Sequence, residues 1–429
     1  MNSNIETLFL SDCLSLIIDN RGKTPKKLNT NWTDNGYRVV SANNVKFDGL
    51  EKEDSIRYVD EKTYRKWMTD EIKKGDILLT SEAPAGQVMY WNSDEKIVVG
   101  QRLFCLRVNE KMDSRYLKYY LQSKTGQFEI TKNTTGSTVF GISAKMFAQI
   151  VVKAPELFTQ KKIASILSTL DEKININNNI NFELEEMAKN LYEYWFVQFD
   201  FPDASGKPYK SSGGKMMWNE KIKREIPNGW EVDQLKNHME IERGISYKGT
   251  EINGGGVPMI NLNSFYLNGN YKHSGIKYFS GKVNKNKVLR PYDFVVATTD
   301  VTRNAFIIGK SFILPDIFGS NDVVASCDVA KIVTGDKLDK YYLDMLFNSD
   351  YYHEYIKGFA SGTLVLHLNT DGIDWYNVII PPKKLLEKFA EIRKDIEKKR
   401  SVILKENQKI VELRDWLLPM LMNGQVAVG

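Results

Sequence analysis

Two short basic loops hold the residues whose types and spacing best suit binding chemistry. Arg21-Gly22-Lys23-Thr24-Pro25-Lys26-Lys27 places four cations within seven residues, and Arg243-Gly244-Ile245-Ser246-Tyr247-Lys248 places an aromatic ring between two cations. An ammonium group binds phosphate, a guanidinium can donate two hydrogen bonds to a guanine edge, and a tyrosine ring can stack or bridge. These loops therefore favour DNA binding over the alternative of solvated basic turns. The predicted contact residues are Arg21, Lys23, Thr24, Lys26, Lys27, Arg243, Tyr247 and Lys248.

A second pair of loops is rich in hydroxyl groups. Thr134–Thr138 and Ser361–Thr363 offer hydroxyls and backbone N–H groups that can donate to phosphate oxygens, although an ordinary turn explains them nearly as well. Two further arginines lie outside the basic loops and are candidates for base contacts. The contact residues predicted from this second group are Ser137, Thr138, Thr363, Arg102 and Arg303.

No set of residues indicates catalysis or a bound cofactor. The nearest match to a phosphate-binding loop, Asn304–Ser311, lacks the first glycine of GxxxxGK[ST]. The Asn/Asp-Pro-Pro-Tyr/Phe run that N6-adenine methyltransferases use is also missing from the sequence. The histidines have no partners at ligand or triad spacing, and the cysteines form no CxxC pair. The chain is therefore predicted to be non-catalytic and to hold no metal or other cofactor.

Two stretches of the chain resemble each other. Gly36–Asn43 recurs as Gly256–Asn263 and Asp76–Thr80 recurs as Asp293–Ala297, and such matches keep their order at offsets between 217 and 227 residues. Short β-prone runs alternate with turn-rich loops and short helical patterns, which is typical of a mixed α/β domain. The sequence therefore predicts two similar domains, residues 1–156 and 226–382. The loops 81–86 and 298–304 follow matching strands but differ sharply in sequence. Such a difference is expected of two domains that recognise two different DNA sequences.

Each predicted domain is followed by a long amphipathic stretch. Residues 157–204 and 383–429 carry apolar residues at alternating steps of four and three. This pattern favours two long antiparallel helices in a coiled coil over two ordinary helices packed on local cores. Polar residues, among them Asn177 and Glu406, interrupt both seams, and such positions can set the helix register. The predicted seam residues are Ile163, Leu167, Leu170, Ile174, Leu184, Leu191, Phe389, Ile392, Ile396, Ile403, Ile410 and Leu413.

Charge and composition indicate the setting in which the chain works. The formal net charge is +5, and the segment Gly206–Arg224 alone carries six basic residues and one acid. A basic linker is therefore predicted over residues 205–225. Scattered cysteines fit a reducing compartment, and no signal-peptide pattern or apolar run of about 18 residues is present. We expect a cytoplasmic protein without membrane contact.

Several motifs around the first long stretch are distinctive. They are Ile163-Ala164-Ser165-Ile166-Leu167-Ser168, Leu191-Tyr192-Glu193-Tyr194-Trp195-Phe196, Phe201-Pro202 with Ser205–Lys215, and Ile226-Pro227-Asn228-Gly229-Trp230. With this order of motifs, the chain resembles the specificity subunit of type I DNA restriction–modification systems over essentially its full length. The aromatic residues Tyr192, Tyr194 and Phe196 suit either partner docking or a domain core, and the sequence does not separate the two.

The resemblance implies a mixed α/β fold with two target-recognition domains, separated by two long antiparallel helices and related by an internal pseudo-two-fold axis. Each domain would read one half of a bipartite DNA target, and the helix pair would set the spacer. The implied partners are double-stranded DNA, two methyltransferase subunits that use S-adenosylmethionine, and motor-nuclease subunits that use ATP and magnesium. Two alternatives stay open: a coiled-coil scaffold without a nucleic-acid role, and an autonomous DNA-modifying enzyme.

Overall fold

The computed structural model describes residues 5–135 and 141–426. The chain divides into two compact units, of which unit 1 consists of residues 1–175 and 409–429 and unit 2 of residues 176–408. Each unit combines strands and short helices with parts of two long helices. The mixed α/β fold class is as predicted from the sequence.

The first part of the chain forms the domain of unit 1. Its strands are β1 (Glu6–Phe9), β2 (Leu14–Asp19), β3 (Tyr37–Val40), β4 (Val45–Lys46), β5 (Gly49–Leu50), β6 (Arg57–Val59), β7 (Ile77–Thr80), β8 (Val88–Tyr90), β9 (Val98–Val99), β10 (Leu103–Val108) and β11 (Val151–Ala154). Its helices are α1 (Glu61–Trp67), α2 (Ser114–Gln122), α3 (Lys124–Lys132) and α4 (Ala144–Ala148), followed by the long helix α5 (Leu157–Tyr192).

A four-stranded antiparallel sheet, ordered β2-β10-β7-β8, lies at the centre of this domain. The two central strands, β10 and β7, are largely apolar and buried because both of their faces are covered and successive side chains point to opposite faces. Leu79 packs in a core with Tyr116 of α2, whereas Leu78 packs in a second core with Trp67 of α1. Helix α2 begins directly after Asp113, whose side chain caps its first turn.

Unit 2 holds the remaining elements. Its strands are β12 (Met216–Asn219), β13 (Arg224–Pro227), β14 (Glu231–Gln234), β15 (Met239–Arg243), β16 (Val257–Ile260), β17 (Lys277–Phe279), β18 (Val288–Leu289), β19 (Phe294–Ala297), β20 (Thr299–Asp300), β21 (Ser311–Ile313), β22 (Val323–Ala325), β23 (Val329–Thr334), β24 (Ala360–Ser361), β25 (Leu366–Leu368) and β26 (Asn377–Ile380). Its helices are α6 (Lys340–Asn348), α7 (Asp350–Lys357) and α8 (Asp371–Asp374), and the long helix α9 (Lys383–Met422) is the last helix in the described residues.

The domain of unit 2 repeats the plan of unit 1. The sheet β15-β23-β19-β21 corresponds to β2-β10-β7-β8, and β16 runs parallel to β22 as β3 runs parallel to β9. Gly36 and Gly256 precede β3 and β16 with φ values of 122° and 96°. A Cβ atom at either position would collide with a backbone oxygen, of Val59 or of Phe279. The repeated sequence thus includes a repeated steric requirement for glycine.

The aspartates of the repeated sequence also have one shared role. Asp76 and Asp293 stand directly before β7 and β19. The carboxylate of each accepts a hydrogen bond from the backbone N–H three residues earlier, Lys73 and Arg290, at 2.8 Å in both units. The same turn therefore leads into the same strand in each domain.

Helices α5 and α9 run antiparallel within each unit. In unit 2, Asn177 contacts Asn407 and Glu185 contacts Arg400, so residue numbers rise along α5 as they fall along α9. In unit 1, Asp171 contacts Arg414, and the start of α5 shares a core with Leu421. At about 1.5 Å per residue, α5 and α9 are roughly 54 and 60 Å long.

The predicted seam agrees with the structure only in part. Ile163, Leu167, Phe389 and Ile396 are buried, and Leu170, Ile174, Leu184, Leu191, Ile403 and Ile410 are half-buried. Ile392 and Leu413, however, are 41% and 44% exposed, so the structure corrects the seam at these two positions. The next residues, Arg393 and Arg414, point inward instead, because each forms ion pairs there. At such positions, the spacing of apolar residues alone assigns the wrong one of two adjacent residues to the helix seam.

The chain after α5 joins the core of unit 2. A π-helical turn, Glu193–Val197, follows α5, and Tyr192 and Phe196 are buried while Tyr194 is 40% exposed. The predicted basic linker includes β12 and ends at the start of β13, and these two strands pair with each other. Within residues 5–135 and 141–426, none of the helices combines the length and hydropathy that a transmembrane span requires.

Candidate nucleic-acid interface

The loops at one end of each central sheet meet through the same backbone hydrogen bonds. The equivalent pairs are Ser81 N–Arg102 O (2.8 Å) with Thr298 N–Asp328 O (2.9 Å), and Ile142 N–Ser81 O (2.8 Å) with Leu368 N–Thr298 O (2.9 Å). Because backbone atoms make these contacts, the side chains on the loops can differ without disturbing the arrangement. Arg102 in unit 1 corresponds to Asp328 in unit 2. Asp328 is not among the contact residues predicted from the sequence.

A pair of bonded residues borders each loop cluster, and five residues of the sequence separate the two members of each pair. Thr135 and Gly141 exchange two backbone hydrogen bonds of 2.9 Å in unit 1, and Ser361 pairs with His367 in unit 2. Residues 136–140 lie outside the described residues. The predicted contacts Ser137 and Thr138 fall within that segment.

Arg21 is held by unit 1 itself. Its Nε and Nη2 donate to the two carboxylate oxygens of Asp19 at 2.7 Å, and Nη1 donates to Ile142 O at 2.9 Å. The guanidinium also lies 4.0 Å from the ring centre of Phe104. Burial would raise the pKa of Asp19, but the hydrogen bonds and charge of Arg21 outweigh it and lower that pKa. Arg21 therefore joins the first basic loop to the segment that contains Ile142, and keeps only part of its donors for a ligand.

The other residues of the first basic loop point in different directions. Lys23 Nζ donates to Trp67 O at 2.8 Å, and Thr24 Oγ1 accepts from Lys27 N at 3.3 Å. Lys26 and Lys27 are exposed on a short 3-10 turn, and neither forms an ion pair with another described residue. These two cations are the best placed of the loop to meet a phosphate backbone.

An open groove of about 400 Å³ lies beside this turn. Pro25, Lys26 and Trp32 contribute to its lining, and the guanidinium of Arg57 lies 3.7 Å from the ring centre of Trp32. Trp32 and Arg57 were not predicted from the sequence. A tryptophan in an otherwise polar loop was the only signal for them.

Arg102 stands between the loop after β7 and the start of β10. Its φ of 60° lies in the left-handed region, and its Nε lies 2.9 Å from Glu82 Oε1. The side chain stays 53% exposed, so the ion pair with Glu82 leaves most of the guanidinium accessible. This arrangement presents a donor group at the surface where the loops meet.

The predicted residues of unit 2 lie at the end of β15 and on the loops of the second cluster. Arg243 and Lys248 are exposed, whereas Tyr247 packs against the small core around Met259. Burial, with help from the charges of Asp328 and Cys327, raises the pKa of Tyr247. Arg303 and Thr363 are exposed on the loop after β20 and on the hairpin.

Polar side chains connect α5 and α9 in unit 2. Asn177 Nδ2 lies 2.8 Å from both Glu406 Oε2 and Asn407 Oδ1, and Asn407 Nδ2 donates to Asn178 Oδ1 at 2.9 Å. Asn177 is 1% exposed, so a shift in helix register would leave a buried amide without partners. The polar interruption noted in the sequence therefore has a partner on the opposite helix.

A buried ionic cluster lies further along the same helix pair. Arg393 contacts Glu185 (3.1 Å), Asp344 of α6 (3.3 Å) and Glu397, and Arg400 contacts Glu185 at 2.6 Å. Three carboxylates thus meet two guanidinium groups. Burial raises the pKa of Asp344 to about 6, although the charge of Arg393 opposes this.

Unit 1 has a related junction between helices. Asp171 of α5 accepts hydrogen bonds from Lys118 Nζ (2.8 Å) and Tyr119 Oη (2.6 Å) of α2, and from Arg414 Nη1 of α9 (3.0 Å). Burial would raise the pKa of Asp171, but Lys118, Tyr119 and Arg414 lower it overall. One carboxylate therefore ties the domain of unit 1 to both long helices.

The described residues contain no group of three or more His, Cys, Asp or Glu side chains that could hold a metal ion. The loop clusters consist of cations, hydroxyls, single carboxylates and exposed apolar side chains. Groups of this kind can bind phosphates and base edges.

Comparison with known proteins connects this arrangement to one family. Residues 2–186 match the model of the Type I restriction modification DNA specificity domain. The MjaIX specificity subunit of a type I restriction enzyme from Methanocaldococcus jannaschii is 25% identical over 385 residues, which cover 87% of this chain and 82% of that protein. The chain is a homologue of type I restriction enzyme specificity subunits. The resemblance drawn from the motifs is thereby confirmed.

Further specificity subunits agree with this relationship. The HindI specificity subunit from Haemophilus influenzae is 23% identical over 404 residues, covering 83% of this chain and 87% of the relative. The crystal structure of a type I restriction–modification S subunit from M. genitalium aligns with a TM-score of 0.55 at 15% identity, covering 98% of this chain and 96% of the other. The M. genitalium subunit and this chain therefore share the fold.

Proposed function

We propose that this chain is the DNA sequence-recognition subunit of a type I restriction–modification complex, and that each loop cluster reads one half of a bipartite target. The observation that carries the proposal is the repeated backbone framework with unlike side chains. Ser81 N–Arg102 O and Thr298 N–Asp328 O are equivalent bonds, yet one position offers a donor and the other an acceptor. Equal frameworks with different side chains suit two half-sites of different sequence.

The contact residues of this proposal divide by chemistry. Lys26, Lys27 and Lys248 are exposed cations for phosphates, which position the protein without reading sequence. Arg102 in the loop cluster of unit 1 and Arg303 in that of unit 2 are exposed and can donate to base edges. Arg21, Lys23, Thr24 and Tyr247 mainly shape their loops, while Arg243, Ser137, Thr138 and Thr363 complete the predicted contact set.

We further propose that α5 and α9 set the spacer of the target and dock two methyltransferase subunits. Exposed apolar side chains on the long helices support docking. On α5 within unit 2, Ile176, Ile180 and Met187 are 55%, 43% and 61% exposed, and their spacing places them along one face. On α9 within unit 1, Trp416 is 55% exposed. Such side chains are typical of a protein interface.

In this proposal the chain works in the cytoplasm and has no catalytic role of its own. Methyl transfer belongs to the methyltransferase subunits with S-adenosylmethionine, and cleavage belongs to motor-nuclease subunits with ATP and magnesium. This chain selects the DNA sequence at which the partner subunits act. Loss of any single carboxylate of this chain should therefore remove no catalytic group from the complex.

Single-molecule sequencing of host DNA methylation, with and without the gene for this chain, tests the proposal. The expected result is a set of methylated adenines that depends on the gene and falls within a bipartite sequence with an unread spacer. Methylation in one continuous sequence, or methylation by the purified chain alone, would contradict it. A matched strain carrying the methyltransferase gene but lacking this chain serves as the control.

A further inference from the structure

Unit 2 exposes several apolar side chains on two adjacent loops of its cluster. Leu364 is 75% exposed, Val301 62%, Phe306 43% and Val365 39%. Asp300 of β20 pairs with Leu366 of β25, so the loop that begins at Val301 starts beside the hairpin that carries Leu364 and Val365. Single exposed apolar residues are ordinary, but a group of them on neighbouring loops indicates a contact surface.

Each of the two loops is held in place by contacts within the loop. Gly362 has a φ of 136°, and a Cβ atom there would collide with the carbonyl oxygen of Val365, so the hairpin turn requires glycine. Across the other loop, Asp300 Oδ2 accepts a hydrogen bond from Ile307 N at 2.7 Å. Leu364 lies in this turn, between β24 and β25, with its side chain exposed.

The surroundings of this apolar surface suit DNA. Arg303 is exposed on the loop that begins at Val301, and it forms no ion pair with any described residue. Thr363, which carries a hydroxyl, directly precedes Leu364 in the sequence. The carboxylate of Asp300 is engaged by its own loop. Asp328 on the third loop remains as an acceptor, which matches the amino group of cytosine. A cation, a hydroxyl and an acceptor around an apolar tip correspond to the groups displayed in a major groove.

We propose that Leu364 reads a thymine in the half-site bound by unit 2, through contact of its side chain with the C5-methyl group. This inference rests on the proposed function and adds to it a specificity-determining residue and the base that it recognises. In the major groove, the C5-methyl is the apolar group that distinguishes thymine. A leucine has no hydrogen-bonding group, so its contribution depends on that methyl.

Unit 1 offers a natural comparison for this position. Counting from the equivalent pairs Thr135–Gly141 and Ser361–His367, Thr138 occupies in the sequence the position that Leu364 occupies in unit 2. Leu364→Thr therefore introduces the residue type that the chain itself has at the corresponding sequence position of unit 1. Leu267 is 57% exposed in a turn elsewhere in unit 2 and gives a matched control, Leu267→Ala.

The test uses the full chain assembled with its methyltransferase subunits and the bipartite target found by methylation sequencing. Each thymine of the half-site read by unit 2 is replaced in turn by deoxyuridine, which lacks the methyl group. Affinity is measured for the parent chain, Leu364→Ala, Leu364→Thr and Leu267→Ala. At one thymine, loss of the methyl should weaken binding of the parent and of Leu267→Ala by roughly fourfold, the effect of exposing one buried methyl group. Leu364→Ala and Leu364→Thr, whose side chains are shorter, should distinguish the two duplexes less than the parent does.

Several outcomes would overturn the inference while leaving the proposed function intact. They are a half-site without thymine on either strand, equal binding of all deoxyuridine duplexes by the parent, or an undiminished deoxyuridine effect in Leu364→Ala. Loss of methyltransferase assembly in Leu364→Ala, with DNA affinity unchanged, would assign the apolar surface to a protein partner instead. Absence of any bipartite target would contradict the proposed function itself.

Discussion

Arg393 and Asp344 meet inside unit 2, where Arg393 Nη2 lies 3.3 Å from Asp344 Oδ2 and each side chain is 2% exposed. Arg393 belongs to α9 and Asp344 to α6, so this contact joins a long helix to the domain. Glu185 of α5 completes the junction. Buried ion pairs add little net stability, but removal of one partner leaves an uncompensated charge.

Replacement of Arg393 by methionine should therefore destabilise unit 2 strongly. We expect a loss of about 3–5 kcal/mol, because three carboxylates would remain with a single guanidinium. Hydrogen exchange along α6 and chemical denaturation measure the effect. Arg65→Met is the control: Arg65 pairs with Glu61 on the surface of α1, and its loss should cost below about 0.5 kcal/mol. An Arg393→Met variant as stable as the control would refute a structural role of the cluster.

The pH dependence of stability should reveal Asp344. Burial raises its pKa in the folded state to about 6, above the ordinary value of 3.8, so the folded state binds the proton more tightly. This contribution is fully present below the ordinary pKa and is lost as the pH rises through about 6. Relative to Asp344→Asn, which cannot titrate, the parent should lose about 2 kcal/mol between mildly acidic and neutral pH. Parallel stability curves for the two proteins would contradict the assignment.

The equivalence of Arg102 and Asp328 predicts independent effects on the two half-sites. Arg102→Ala should relax one base position in one half-site, and Asp328→Ala one position in the other, each at a cost of about 1–3 kcal/mol in discrimination. Binding of the assembled complex to duplexes with single base substitutions measures this. Lys111→Ala is the control, since Lys111 is exposed beyond the opposite end of β10. Relaxation of the same base position by both variants would rule out independent reading.

Cys327 provides a natural chemical probe of the second loop cluster. It is exposed beside Asp328, whereas Cys13 and Cys105 are buried. Target DNA should slow alkylation of Cys327 in the assembled complex, as measured by mass spectrometry. Burial and the charge of Asp328 raise the pKa of the Cys327 thiol, so alkylation without DNA should be slow at neutral pH and faster in Asp328→Asn. Equal alkylation with target and with unrelated DNA at high salt would argue against contact at this loop.

Exchange of the first domain tests how the chain divides its work. Replacement of residues 1–156 by those of a relative should change one half of the target and leave the other. Leu421 and Met422 of α9 belong to the core of unit 1, so an exchange that also includes residues 157–175 and 409–429 should be more stable. Methylation sequencing and thermal denaturation compare the two chimeras. A change in both half-sites would contradict separate recognition.

Much of the fold could be predicted from the sequence because its signals are local or repeated. The bounds of α2 follow from a capping aspartate and an apolar face, and the duplication follows from matches such as Gly36 with Gly256. The resemblance to specificity subunits rests on motifs that are contiguous in the chain. Such local and repeated patterns can be recognised in the sequence without knowledge of the tertiary contacts.

The sequence by itself determined the mixed α/β class, the two long helices, the repeat and the basic loops. Only the tertiary structure decided which charges face inward on α9, where Arg393 is buried and its neighbour Ile392 is exposed. It also made Asp328 the counterpart of Arg102, and brought the exposed Leu364 beside the loop after Asp300. The physical reason is the same in each case. Ion pairs and strand register join residues far apart in the chain, and no spacing within one segment specifies the partner.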